Sequence, residues 1–238
     1  MIHSNKIYDL KYTFLVCLIM VLISHRYKFI HLRNFKVASS SVESFFAQFC
    51  MDPADREKYE FPDLMKTIII SSDGIIGNGN KQNIWYAHMR KDEIYQHLGD
   101  KLFNEYLKFA VVRNPYDRMV SYYYWCNQEM RNKKIEDVIH NFKKFCIDEL
   151  KNVNYKGSIY YTYNDDICDF YIRYEYLKED IISLLDRLGI QDYDITKLPS
   201  HKSNIRPKIH YREYYDEETR NIVYSCFKDS IDKFGYTF

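Results

Sequence analysis

Four short strand-like runs alternate with stretches of helical periodicity from Lys28 onward, and this alternation leaves few architectures open. Lys28 to Leu32 (KFIHL), Lys66 to Ser71 (KTIIIS), Leu107 to Val112 (LKFAVV) and Asp169 to Tyr174 are the strands. Between them, Val42, Phe45, Phe46 and Phe49 recur at helical spacing after Ser40, and Asp92 to Leu98 forms a helix stopped by Gly99. Asn114 and Pro115 have the N-cap and first-turn chemistry that opens a helix through Trp125. Leu177 to Leu188 is a helix ending at Gly189, and Asp216 to about Phe234 is the last, with Ile222, Val223, Phe227, Ile231 and Phe234 on its buried face. The pattern predicts an α/β fold: a single domain with a central, mainly parallel sheet flanked by helices. No repeat or low-complexity linker divides it.

Charge narrows the partners. Lys plus Arg number 34 and Asp plus Glu 33, so no global field favours nucleic acid, and any anion site has to be local. The six cysteines form no CxxC pair and no zinc-like Cys/His spacing, so no metal is expected; buried thiols are the default, with one or two disulfides open only in an oxidising compartment. The segment 1–27 is set apart as a hydrophobic N-terminal piece ahead of a domain spanning 28–238. Its uncharged run Tyr12 to Ser24 has basic flanks at Lys11 and at His25, Arg26 and Lys28, which suits a signal peptide or a short signal anchor, and hence membrane association. A helix of that length covers only about 20 Å of a hydrocarbon core of roughly 30 Å, so a buried N-terminal helix or strand is the competing reading.

Two strand-loop-helix junctions carry the chemistry. In Phe35-Lys36-Val37-Ala38-Ser39-Ser40-Ser41, a lysine and three hydroxyls precede a helix N-terminus, whose amide N–H groups and dipole attract anions. Ser40 and Glu43 also have the spacing of a capping box, which needs no ligand, although capping leaves Lys36 unexplained. In the second junction, Arg113 ends a strand and Ser121 lies about two turns into the following helix, a pairing suited to a doubly charged phosphate. The plain alternative is a surface ion pair with Asp117, for which Arg118 is better suited than Arg113.

FKVASSS resembles the 5'-phosphosulfate loop, and VVRNPYDRMVSYYY the 3'-phosphate motif, of the carbohydrate sulfotransferases (sulfotransferase family 2), which use 3'-phosphoadenosine 5'-phosphosulfate (PAPS). Trp85-Tyr86-Ala87-His88-Met89, Arg173-Tyr174-Glu175-Tyr176-Leu177 and the closing YYDEETRNIVYSCFKDSIDKFGYTF are similar to that family too, so the resemblance covers about Lys28 to Phe238. It implies a P-loop NTPase-like sulfotransferase fold without a Walker motif, and transfer of a sulfuryl group from PAPS to a hydroxyl acceptor, with carbohydrate as the favoured class. Lys36 would contact the 5'-phosphosulfate and stabilise the leaving group. Ser39, Ser40 and Ser41 would cradle the 5'-phosphate, and Arg113 and Ser121 would hold the 3'-phosphate. His88 is the candidate general base, with His31 its rival, since an imidazole titrating near pH 6.5 can take a proton at neutral pH. His201 to Lys208 (HKSNIRPK) sits where the family often closes a basic loop over the donor. Phe35 stands where the family lysine is usually preceded by proline. No metal is needed. The family includes Golgi enzymes and bacterial relatives, so a membrane-associated and a cytoplasmic location both stay open.

Two other classes compete. A kinase would use a similar sheet, but no GxxxxGK[ST] is present; a catalytically silent binder of PAP, the desulfated nucleotide, would keep the donor residues without turnover. Ser72 to Asn83, with Gly74, Gly77 and Gly79, is a loop or hairpin whose spacing is not that of a dinucleotide fingerprint.

Overall fold

The computed structural model describes residues 20–59, 68–77, 83–86, 89–151, 168–201 and 206–238. Among them the strands are β1 (Val21–Ser24), β2 (Phe29–His31), β3 (Ile69–Ile70), β4 (Gly74–Gly77), β5 (Leu107–Val112) and β6 (Phe170–Arg173). They form one six-stranded sheet in the order β3-β4-β1-β2-β5-β6. The helices are α1 (Ser39–Phe46), α2 (Lys91–Leu98), α3 (Asp100–Glu105), α4 (Pro115–Cys126), α5 (Ile135–Lys151), α6 (Leu177–Arg187) and α7 (Glu217–Phe234), with short 3-10 turns between several of them.

The sheet is mixed rather than mainly parallel. Pairing is parallel only for β2 with β5 and β5 with β6, while β1 runs antiparallel to both β2 and β4, and β3 antiparallel to β4. The reason is connection length: β1 reaches β2 through a tight turn at 25–28, with Lys28 in the left-handed region (φ 52°), and so short a link cannot make the crossover that parallel strands need.

The domain also starts earlier than residue 28. Val21–Ser24 is fully buried in the middle of the sheet, so the end of the apolar run Tyr12–Ser24 is core strand. Residues 1–19, where the rest of the expected targeting segment falls, lie outside the described residues. No helix among the described residues is long and apolar enough to cross a membrane.

Side chains alternate across the sheet as strand geometry demands. Leu22, Phe29, Ile76, Phe109, Val111 and Ile172 pack under Val42, Phe45 and Phe46 of α1 and Ile181, Leu184 and Leu185 of α6. Val21, Ile23, Ile30 and Ile75 face the other way, onto Trp85, Met89 and Ile94. A second, aromatic core joins α4, α5 and α7 through Tyr123, Tyr124, Phe142, Tyr214 and Val223. Two glycines of the expected loop or hairpin, Gly74 and Gly77, belong to β4, while Gly79 lies outside the described residues; a Cβ on Gly74 would sit 2.3 Å from the Ile23 carbonyl oxygen, so close strand packing excludes a side chain there.

Candidate active site

The loop between β2 and α1 is fastened before it is useful. Buried Asn34 donates to the Val111 carbonyl at 2.9 Å, and the Ser39 hydroxyl donates to the Asn34 carbonyl at 2.7 Å. These anchors hold two non-glycine residues, Lys36 (φ 61°) and Ala38 (φ 70°), in left-handed conformation, which costs roughly 1–2 kcal/mol each. Such a turn directs successive backbone N–H groups into a concave anion-binding nest, here at the N-terminus of α1. The capping box expected from Ser40 and Glu43 does not form. The helix starts at Ser39 with Ala38 as its N-cap and no side-chain cap, which leaves Glu43 beyond capping position. Glu43 instead points inward, fully buried, and accepts from Arg33 Nη1 on both carboxylate oxygens.

The second junction is as expected in outline. Asn114 accepts the Tyr116 N–H at 3.0 Å and Pro115 opens α4. Asn114 also donates to the Thr237 carbonyl at 2.9 Å, which ties the cap to the chain's last residues. The ion pair with Asp117 is made by Arg113, not by Arg118: Arg113 Nε lies 2.7 Å and Nη2 2.5 Å from Asp117 Oδ2. Arg118 is buried and donates to the Phe35 carbonyl at 2.8 Å, because its place in α4 turns it toward the aromatic core. The pair does not disqualify Arg113 as an anion ligand, since it is no solvated surface bridge. Its guanidinium is almost buried, lies 4.0 Å from the centre of the Tyr174 ring, and donates through Nη1 to the Lys36 carbonyl at 3.2 Å. Arg113 thus touches both junctions at once.

One cavity of about 450 Å³ opens between them, lined by Lys36, Ser39, Ser40, Ser41, Arg113 and Ser121. Every candidate donor-site residue therefore reaches the same space. Arg33, Lys178, Arg206 and His201 join them on its wall, against Glu175 and Glu179 as the acids. The Lys36 ammonium lies 5.8 Å and 5.9 Å from the ring centres of Phe35 and Trp125. His201 and Arg206 come from the basic segment singled out in the sequence, whose residues 202–205 lie outside the described ones. His201 is moored to α1 by its N–H to the Ser41 hydroxyl (3.1 Å) and its Nε2 against the Ser44 hydroxyl (2.8 Å).

Sequence reasoning gave no role to Trp125, Tyr174 or Glu175, which also line the cavity. Tyr174 and Glu175 lay within a stretch noted only for its resemblance. The signal that could have found them is position: they follow β6 directly, at the same end of the sheet as Arg113 follows β5.

The two base candidates fare differently. His88 lies outside the described residues. His31 is fully buried, packs on Phe109 and is not part of the cavity wall. Burial, helped by the charge of Arg33, pushes its pKa down to about 3, so its ring is neutral but cannot reach a substrate hydroxyl. No cluster of three or more metal-ligating side chains occurs among the described residues.

Comparison with curated proteins gave no match, and comparison with solved structures gave none either. The model of the sulfotransferase family matches residues 20–176. That span begins at β1, contains both junctions and their shared cavity wall up to Glu175, and covers more than half of the sequence. On that match the chain belongs to the sulfotransferase family.

Proposed function

We propose that the protein moves a sulfuryl group from PAPS to a hydroxyl acceptor, with carbohydrate as the acceptor class. The observation that carries this reading is the contact between Arg113 and the Lys36 carbonyl, which draws two anion-suited junctions around one cavity. The cavity chemistry fits a donor with phosphates at both ends: a nest and hydroxyls on one side, a stacked, oriented guanidinium on the other.

The donor is a substrate that supplies the activated sulfuryl group. Ser39, Ser40, Ser41 and the loop amides hold its 5'-phosphate, while Arg113 and Ser121 hold the 3'-phosphate. The bond from sulfur to the acceptor oxygen forms as the bond to the donor's phosphate oxygen breaks. Lys36 offsets the negative charge left on that oxygen, and His88 takes the acceptor's proton. Positioning and electrostatics then carry most of the catalysis, as in phosphoryl transfer.

The test is thermal stabilisation of the full chain by PAP, with ADP and an Arg113→Ala variant as controls. Ligand at 100 times its dissociation constant raises the stability by about 2.7 kcal/mol. A shift with PAP that is absent with ADP and lost in the variant supports the donor site. Folded protein with no PAP shift sinks it, and PAP binding without turnover on any hydroxyl acceptor would mark a silent nucleotide-binding protein.

A further inference from the structure

A carboxylate, Asp117, is held against two of the arginines that line this anion site, although it is not itself on the cavity wall. Asp117 is nearly buried in the first turn of α4, where helix chemistry alone would accept an acid. Its two oxygens, however, are divided between two guanidiniums from distant parts of the chain. Oδ2 takes Nε and Nη2 of Arg113, and Oδ1 lies 2.6 Å from Nη2 of Arg206 as an ion pair, without the alignment of a hydrogen bond. Arg206 also approaches the Asp117 carbonyl at 3.5 Å, a contact across 89 residues of sequence. Both arginines line the cavity. Like charges held side by side repel unless an anion sits between them, and the Asp117 side chain is that anion.

Resting on the PAPS reading above, we propose that Asp117 is a positioning residue that sets Arg113 and Arg206 side by side as one clamp for the donor's 3'-phosphate. One negative charge between two positive ones leaves the cluster cationic, so a phosphate is still attracted. What the carboxylate supplies is orientation. Arg113, braced by Asp117, by the Lys36 carbonyl and by the Tyr174 ring, presents a fixed edge, and Arg206 is brought against α4 beside it. A clamp of this kind distinguishes PAP from ADP, because only PAP carries the 3'-phosphate.

The experiment is calorimetric titration of PAP and of ADP into the full chain as wild type, D117N, D117E, R206A and D117N/R206A, with turnover measured as a function of PAPS concentration. Expected is a loss of PAP affinity in D117N of about tenfold or more, the effect of misplacing one charged hydrogen bond. ADP affinity should stay within about twofold, and the loss should fall on KM for PAPS more than on kcat, since a single contact's loss on the 3' side shifts binding more than chemistry. D117E should recover part of the loss, R206A should reproduce it, and the D117N/R206A double variant should be no worse than either single one. Pure electrostatics predicts the reverse sign, because removing a negative charge should tighten PAP. Equal or tighter PAP binding by D117N therefore overturns the proposal, as does an equal loss of PAP and ADP. If D117N does not fold, R206A decides: PAP affinity must fall while ADP affinity does not. A wild type that fails to bind PAP removes the donor reading and the clamp together, whereas a wild type that binds PAP beside an unimpaired D117N removes only the clamp.

Discussion

Replacing Glu43 by glutamine should destabilise the protein by roughly 3 kcal/mol. The carboxylate is fully buried, accepts from Arg33 on both oxygens and lies 3.8 Å from the Nδ1 of His31. Removing one member of a buried pair typically costs about 3–5 kcal/mol, since the other charge is left without compensation. The lower end applies here because the Arg33 side chain is 10% exposed at the cavity wall and can rehydrate. At roughly 2–4 °C per kcal/mol for a domain of this size, the melting temperature should fall by roughly 6–12 °C. Urea unfolding of wild type, Glu43→Gln, Arg33→Met and the Arg33→Met/Glu43→Met double variant measures the coupling directly. The double variant should recover much of the loss, because a buried ion pair exchanged for well-packed apolar groups is often close to neutral. A loss below about 1 kcal/mol in Glu43→Gln, or strictly additive single effects, would refute the buried-pair account.

His31 makes stability depend on acidity. Burial holds its folded-state pKa near 3 against an ordinary 6.5, so the unfolded chain takes up the proton more readily. The contribution is complete above about pH 6.5 and is lost as pH falls toward 3, at no more than about 1.4 kcal/mol per unit; His31→Phe should flatten the slope in urea titrations between pH 7 and 4. Lys36→Ala should fold and lose about 100-fold to 1000-fold in turnover, and His88→Ala about 100-fold to 10,000-fold, so near-normal rates in either remove its assigned role. Asn114→Ala deletes the α4 cap and its tie to Thr237, with an expected cost of about 1–2 kcal/mol by chemical denaturation. Deleting residues 1–26 removes β1 and parts β2 from β4, so far-ultraviolet circular dichroism should report an unfolded chain.

Much of the fold was legible because its elements announce themselves locally. LKFAVV is the β5 strand residue for residue, and Asn114-Pro115 marks the start of α4. What escaped depends on distance in the chain. Val21–Ser24 looks like the tail of a targeting run until its partners at 29–31 and 74–77 are known, because a buried central strand and a membrane segment are both plainly apolar. The α5 helix was readable in principle, since Val138, Phe142, Cys146 and Leu150 recur every fourth residue, yet its polar face dilutes the signal. The site was half legible. Lys36, the serines, Arg113 and Ser121 sit in compact motifs, and Arg206 in a basic segment noted for its resemblance, whereas Tyr174 and Glu175 join them only through tertiary contact. Glu43 shows the limit most clearly, as a two-residue shift of the N-cap, from Ser40 to Ala38, turns an expected cap into a buried ion pair.

The bond from Arg113 to the Lys36 carbonyl spans 77 residues, and this separation orders the events of folding. The β1–β2 hairpin closes through a short turn and can form early, but the parallel pairings of β5 need long loops closed first, at an entropic cost that slows them. The cavity, lined from the segments that follow β2, β5 and β6, therefore comes into being only after these parallel pairings have closed. On the function proposed above, a refolding chain acquires its hairpin before its donor site, so capture of PAP would time the last step of assembly rather than collapse.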